Sequence, residues 1–154
     1  VVASSGKADQ ADMLKAIGAR EVRDRADFGE PYKRPMPKKR FAGAVDVVGG
    51  DTLSNVIKSI KAGGSVACCG LVQSAAFEAS VLPFILRGVN LLGVDSVEIP
   101  LAEKQAAWKQ LARCAKLAAI ARLNTEISLK QVPEALGKLF TGGMAGHTIV
   151  KIGR

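Results

Sequence analysis

Hydrophobic positions along this chain switch between the period of a strand and the period of a helix. Val1-Val2-Ala3 is an apolar run that closes in Ser4-Ser5-Gly6-Lys7, the pattern of a buried strand ending in a small, hydroxyl-rich and basic turn. Met13, Leu14 and Ile17 then recur at helical spacing, predicting a helix that starts at Ala8 or Asp9 and is closed by Gly18 as a left-handed cap. A short strand is expected around Arg20 to Arg23. A long polar connection bearing Pro31, Pro35 and Pro37 leads to Ala44-Val45-Asp46-Val47-Val48, small and β-branched as in a strand covered on both faces. Gly49-Gly50 ends that strand, and Asp51 or Thr52 caps a helix through Leu53, Val56, Ile57 and Ile60. Gly63-Gly64 is expected to close this helix before a buried strand at Ser65-Val66-Ala67-Cys68-Cys69, which finishes in Gly70.

The same alternation continues to the carboxyl end. Val81 to Arg87 reads as a short apolar helix with Pro83 tolerated in its first turn, and Val89 to Val94 as a further strand. Pro100 and Leu101 open a longer helix through Trp108, Leu111 and Leu117, whose stripe is core or subunit interface, Trp108 being read as core. A helix from Val132 to Phe140, the turn Thr141-Gly142-Gly143 and a strand from Thr148 to Ile152 complete the reading. Strands alternating with helices define an α/β protein with a doubly wound, mostly parallel sheet.

Composition narrows the class. At 154 residues and 48% apolar content the chain can bury a core of its own, ordinarily as one domain. The net charge of +8 admits nucleic acid or an anionic cofactor, but aromatic residues make up only 5%. The basic residues Lys33, Arg34, Lys38, Lys39 and Arg40 sit among prolines and are read as a solvated loop, so nucleic acid is not expected as a partner. Three cysteines without a C-x-x-C spacing, and His147 as the only histidine, give neither a disulfide framework nor a plausible metal shell. A reducing cytoplasmic setting, no metal and no membrane partner are therefore expected.

Two features point to chemistry. Each buried strand ends in glycine at its carboxyl edge, where the ligand crevice of an open parallel sheet lies and where backbone must approach a ligand closely. At the end of the opening strand, an acid would bind a ribose 2′-hydroxyl, whereas a basic residue accommodates a 2′-phosphate. Here Ser4, Ser5 and Lys7 stand with no acid before Asp9, which favours NADP over NAD. No G-x-G-x-x-G occurs, although that phosphate loop belongs just upstream of such a strand, so the chain is expected to begin inside a domain.

Several segments carry a resemblance. Pro83-Phe84-Ile85-Leu86-Arg87 followed by Leu91-Leu92-Gly93-Val94-Asp95-Ser96-Val97 is the most specific. It is joined by Ala42-Gly43-Ala44-Val45-Asp46-Val47-Val48-Gly49, Cys69-Gly70-Leu71, Thr125-Glu126-Ile127-Ser128-Leu129 and Gly146-His147-Thr148-Ile149-Val150-Lys151. Over essentially its whole length the chain resembles the cofactor-binding domain of the medium-chain dehydrogenase/reductase superfamily, in its zinc-free quinone oxidoreductase-like branch and the acryloyl-CoA reductase group.

The resemblance implies a partial Rossmann domain over residues 1–154, lacking the first strand, glycine-rich loop and first helix, with an amino-terminal barrel-like catalytic domain also outside the chain. In the strand order 3-2-1-4-5-6 the missing strand leaves an open slot. It further implies hydride transfer from NADPH to an activated double bond of an acyl-CoA or quinone substrate, with no catalytic residue inside this segment. A stand-alone nucleotide-binding or interaction module is the alternative. The implied cofactor positions are Ser5, Lys7, Gly49, Cys69, Gly70, Leu71, Arg87, Asp95, Ser96 and His147. Ser5-Gly6-Lys7 takes the place of a Ser-Gly-Arg turn that holds the 2′-phosphate, and His147 stands where an arginine is expected. Cys69 reads as a small buried hydrophobe. Arg87 either complements the dipole of its own helix or reaches a phosphate. The apolar edge strand at Val89 to Val94 implies a homodimer.

Overall fold

The computed structural model describes residues 1–30, 32–114, 121 and 123–153. They divide into two compact units, one comprising Val1–Ala3, Lys7–Val22 and Ala102–Arg154, the other Ser4–Gly6 and Arg23–Leu101.

The second unit is built on a parallel three-stranded sheet of β3 (Phe41–Asp46), β4 (Ile60–Cys68) and β5 (Asn90–Gly93), in that order. Helix α3 (Gly50–Ser59) links β3 to β4, and α4 (Leu82–Arg87) precedes β5. The register aligns Ala44, Val66 and Leu91 in one row and Val45, Ala67 and Leu92 in the next, so the rows point to opposite faces. The first row packs with Leu53 and Ile57 of α3, Ile60, Val89 and Phe84 to form the core. Each fully buried aliphatic side chain there stabilises the fold by about 1.5 to 3 kcal/mol. Within this unit the other face is bare, with Val45 at 75% exposure and Leu92 at 52%.

Helix α3 ends earlier than its glycines indicate. Ile60 is completely buried and already extended, with φ −73° and ψ 142°, and Ser59 Oγ donates to the Asn55 carbonyl in the last turn. Gly63 and Gly64 therefore lie inside β4, where the register shifts between Phe41 and Gly43. Burial of Ile60 under the sheet outweighs the glycine stop signal.

The polar connection before β3 holds a helix that periodicity did not reveal, α2 (Ala26–Gly29). Asp24 Oδ1 accepts the Ala26 amide at 2.8 Å, and Phe28 is buried with its ring 6.2 Å from that of Phe41. The following basic loop is pinned rather than merely solvated. Asn55, fully buried, donates to the Phe28 and Glu30 carbonyls at 2.7 and 2.6 Å and accepts the Tyr32 amide at 3.0 Å. At the far end the Arg40 amide donates to the Ser59 carbonyl at 2.7 Å.

The opening strand β1 (Val2–Ser5) pairs with β2 (Glu21–Asp24) in a separate two-stranded sheet. The Val1 carbonyl accepts from Arg20 and the Ser5 carbonyl from Arg25, so the pair runs in parallel. Among the described residues no strand pairs with β3 on the side away from β4, so β3 is an edge of its sheet.

In the first unit, α1 (Ala11–Ala16) follows a single 3₁₀ turn, and α5 runs Leu101–Cys114. The expected extension of α5 to Leu117 lies outside the described residues. Trp108 is not core: it is 71% exposed, with Leu101 and Leu111 exposed on the same helix. A parallel pair, β6 (Asn124–Ser128) and β7 (His147–Lys151), flanks α6 (Val132–Phe140). Strand β6 was not anticipated, because its Asn-Thr-Glu-Ile-Ser sequence carries one large apolar residue. The fold class is the expected one, α/β with parallel pairing, distributed among the described residues over three sheets.

Candidate functional site

The carboxyl ends of β3, β4 and β5 come level at Asp46, Cys68 and Gly93. The segments leaving them are Val47–Gly49, Cys69–Leu71 and Val94–Ser96, which gathers six of the ten expected positions onto one edge, all but Ser5, Lys7, Arg87 and His147.

Asp46 organises this edge, and nothing in the sequence pattern singled it out. It is 4% exposed, and its Oδ2 accepts the Gly49 amide at 2.9 Å and the Val48 amide at 3.3 Å. Its carbonyl accepts the Cys69 amide at 2.9 Å and the Cys69 Sγ–H at 3.4 Å. A buried carboxylate is tolerated because backbone donors satisfy it. One side chain thus turns the chain after β3 and ties the exit of β4 to it.

The glycines are required by contact. Gly70 lies against β3 so closely that a Cβ would stand 2.3 Å from the Val47 carbonyl oxygen. Gly49, with φ 73°, would place one 2.2 Å from the Ser74 carbonyl oxygen, and it bridges to Ser74 in parallel fashion. Gln73 completes the turn, donating its amide to the Val48 carbonyl at 2.8 Å and accepting the Thr52 amide at 3.3 Å. It too was missed, since a lone glutamine in a loop carries no pattern. A cavity of about 490 Å³ opens beside it, lined by Gly50, Asp51, Ser74, Ala76, Phe77 and Glu78. Its size lies in the range of small-molecule sites.

Leu71 is exposed at 66%, and Cys69 is exposed as a free thiol rather than buried as expected. Asp95 and Ser96 follow β5, and Asp95 Oδ1 accepts the amides of Val97 at 2.9 Å and Glu98 at 3.0 Å. Those bonds, Glu98 first, hold its carboxyl below the ordinary value.

Arg87 is at the other end of the sheet. Its Nη1 donates to the carbonyls of Lys58 at 2.7 Å and Ile60 at 3.4 Å, and its Nη2 to Pro37 at 2.8 Å. It satisfies the carboxyl end of α3, not of its own helix, and fastens the basic loop. This corrects its assignment to the cofactor edge. Beside it lies a groove of about 760 Å³ lined by Arg23, Lys38, Lys39 and Arg40 with Tyr32 and Asp27, remote from the glycine-bearing edge.

Ser5 ends β1 in the same unit as that edge, and the next residue, Gly6, faces the Arg25 guanidinium. Lys7 and His147 belong to the first unit. There Lys7 Nζ donates to the Met144 carbonyl, and His147, exposed, donates its amide to the Leu123 carbonyl at 2.9 Å. Among the described residues no cluster of His, Cys, Asp and Glu could hold a metal, and no helix is long and apolar enough to cross a membrane.

The donor set fits a phosphorylated dinucleotide: a hydroxyl and a guanidinium at the end of β1, and tight glycine-bearing turns at the carboxyl edge of a parallel sheet. Comparison with known proteins agrees with this in kind. A family model described as zinc-binding dehydrogenase matches residues 1–117. YhfP of Bacillus subtilis, named a quinone oxidoreductase, is 40% identical over 99% of this chain and 46% of its own length. Its crystal structure with NAD bound superposes with a TM-score of 0.88. The acrylyl-CoA reductase AcuI of Ruegeria pomeroyi is 37% identical over 99% of this chain and 46% of its own length. The structure of Escherichia coli YhdH with bound NADPH has a TM-score of 0.91 at 37% identity, covering 99% of this chain and 47% of that one. The chain spans about half the length of the curated relatives it matches.

Proposed function

The chain belongs to the zinc-binding dehydrogenase family, and from that premise we propose that it is the cofactor-binding part of an NADPH-dependent reductase acting on activated double bonds. The substrate class is acryloyl-CoA or a related enoyl thioester or quinone. The observation that carries this reading is the carboxyl edge of β3, β4 and β5, where Gly49 and Gly70 are excluded from bearing any side chain by the neighbouring backbone. Such an edge lets a planar ring and its ribose lie against main chain.

When bound, NADPH supplies the hydride for the β-carbon of the alkene. The chain's own share is positional. Asp46 fixes the turn at Gly49 through two amides and anchors Cys69 through its carbonyl. Leu71 and the Cys69 side chain wall the site, and the ordered turn after Asp95 closes the β5 side. Ser5, at the end of β1, is the candidate contact for the adenosine end in this unit, and Lys7 and His147 are candidate contacts that the first unit carries. Hydrogen-bond donors to the developing enolate oxygen belong to the substrate pocket, for which this segment offers no catalytic side chain. The protein works in the cytoplasm as a homodimer joined along β5.

Support also comes from the relatives: AcuI is named for the acrylyl-CoA reaction, and YhdH was crystallised with NADPH. The test is NADPH oxidation by the protein at the full length its gene encodes, with acryloyl-CoA and with a quinone, alongside residues 1–154 alone. Turnover of either substrate by the full-length protein, and none by residues 1–154, is expected. Absence of turnover with both substrates, or equal turnover by the segment, contradicts the proposal.

A further inference from the structure

We propose that Arg25 is the residue that selects a 2′-phosphorylated dinucleotide, a role the sequence pattern gives to Lys7. The inference rests on the reading of the chain as a dinucleotide-binding reductase and identifies which cation distinguishes the two cofactors. Parallel pairing of β1 and β2 brings the Arg25 amide to the Ser5 carbonyl at 3.1 Å, which sets Arg25 level with the end of β1. From there its side chain folds over the turn. A Cβ at Gly6 would stand 3.6 Å from the Arg25 Cζ and 3.7 Å from Nε and Nη2, which places the guanidinium beside the turn at Gly6.

The surrounding charges leave that fork available. Asp24 Oδ1 is taken by the Ala26 amide, and Asp27 faces Arg23 at 3.9 Å. Among the described residues the Arg25 side chain has no ion pair or hydrogen bond. Lys7, by contrast, directs its ammonium to the Met144 carbonyl. A guanidinium presents paired donors in a plane that matches phosphate oxygens, which an ammonium cannot do. The fork of Arg25 thus stands at the end of β1, the place where an acid would instead have bound a 2′-hydroxyl.

The experiment is calorimetric titration of NADP⁺ and NAD⁺ into the protein at the full length its gene encodes, as unmodified, Arg25→Ala, Arg25→Lys and Arg23→Ala forms. Titration of 2′,5′-ADP against 5′-AMP reads the phosphate subsite alone. Arg25→Ala is expected to lower affinity for NADP⁺ and 2′,5′-ADP by roughly tenfold or more while leaving NAD⁺ and 5′-AMP within about twofold. Arg25→Lys should fall between, and Arg23→Ala should match the unmodified protein. A preference for NADP⁺ that survives Arg25→Ala, or an equal loss for both cofactors, overturns the assignment while the dinucleotide reading stands. Failure of the unmodified protein to bind either dinucleotide overturns both.

Discussion

Replacing Gly70 by alanine tests the architecture of the site edge with one methyl group. The added Cβ would stand 2.3 Å from the Val47 carbonyl oxygen, 2.7 Å from its carbon and 2.8 Å from its Cα. All three are backbone atoms, so no side chain can rotate away and β3 must separate from the exit of β4. Overpacking of this kind costs about 1 to 3 kcal/mol. Separation also strains the bonds from the Cys69 amide to the Asp46 carbonyl and from the Gln73 amide to the Val48 carbonyl, 2.9 and 2.8 Å long. At about 1 kcal/mol for each bond, the whole comes to roughly 3 to 5 kcal/mol. For a chain of this size that lowers the melting temperature by roughly 6 to 20 °C. Gly93→Ala is the internal control, because its Cβ meets nothing within 4 Å and it lies at the matching end of β5. Thermal unfolding followed by circular dichroism should find the control unchanged or slightly more stable. Equal melting of Gly70→Ala and the unmodified chain, or an equal loss in the control, refutes the close-contact reasoning.

Arg87→Ala should cost about 2 to 4 kcal/mol by freeing the Lys58, Ile60 and Pro37 carbonyls, yet leave NADP⁺ affinity within about twofold; a large loss of affinity in a folded variant would return Arg87 to the cofactor edge. Asp95, whose carboxyl is held below its ordinary value of 3.8 by the Glu98 and Val97 amides, stabilises the turn after β5 fully above that value and loses the contribution as pH falls through the depressed folded value. Carboxyl shifts followed by NMR should therefore place its titration below 3.8, and a midpoint at or above it contradicts the two bonds. Leu92→Lys, on the exposed face of the edge strand β5, should dissociate the proposed homodimer in sedimentation at micromolar protein, whereas a monomeric unmodified protein refutes edge pairing.

The sequence exposed the elements whose apolar residues repeat and concealed those set by single polar side chains. Leu53, Val56 and Ile57 marked α3, and Val66 to Cys68 marked β4, because both bury an apolar face. Helix α2 was hidden since its start depends on Asp24 and its anchor on Phe28 alone. The glycine-bearing edge was legible at Gly49 and Gly70, where backbone approach requires the residue. Asp46 and Gln73 were not, since a carboxylate inside a strand and an amide in a loop gain meaning only from the amides they accept. Arg87 was misplaced because the carbonyls it holds lie 27 to 50 residues away in sequence. Arg25 carries no pattern of its own, and it is parallel pairing of β1 with β2 that sets it beside Gly6.

Mapping of amide shifts by NMR during titration with NADP⁺ tests most directly whether the carboxyl edge of β3, β4 and β5 is the cofactor site. Perturbations are expected at Ser5, Gly6, Gly49, Cys69, Gly70, Leu71, Asp95 and Ser96, with the side-chain signal of Arg87 unmoved. Perturbations confined to the groove of Lys38, Lys39 and Arg40, with Gly49 and Gly70 silent, would contradict it.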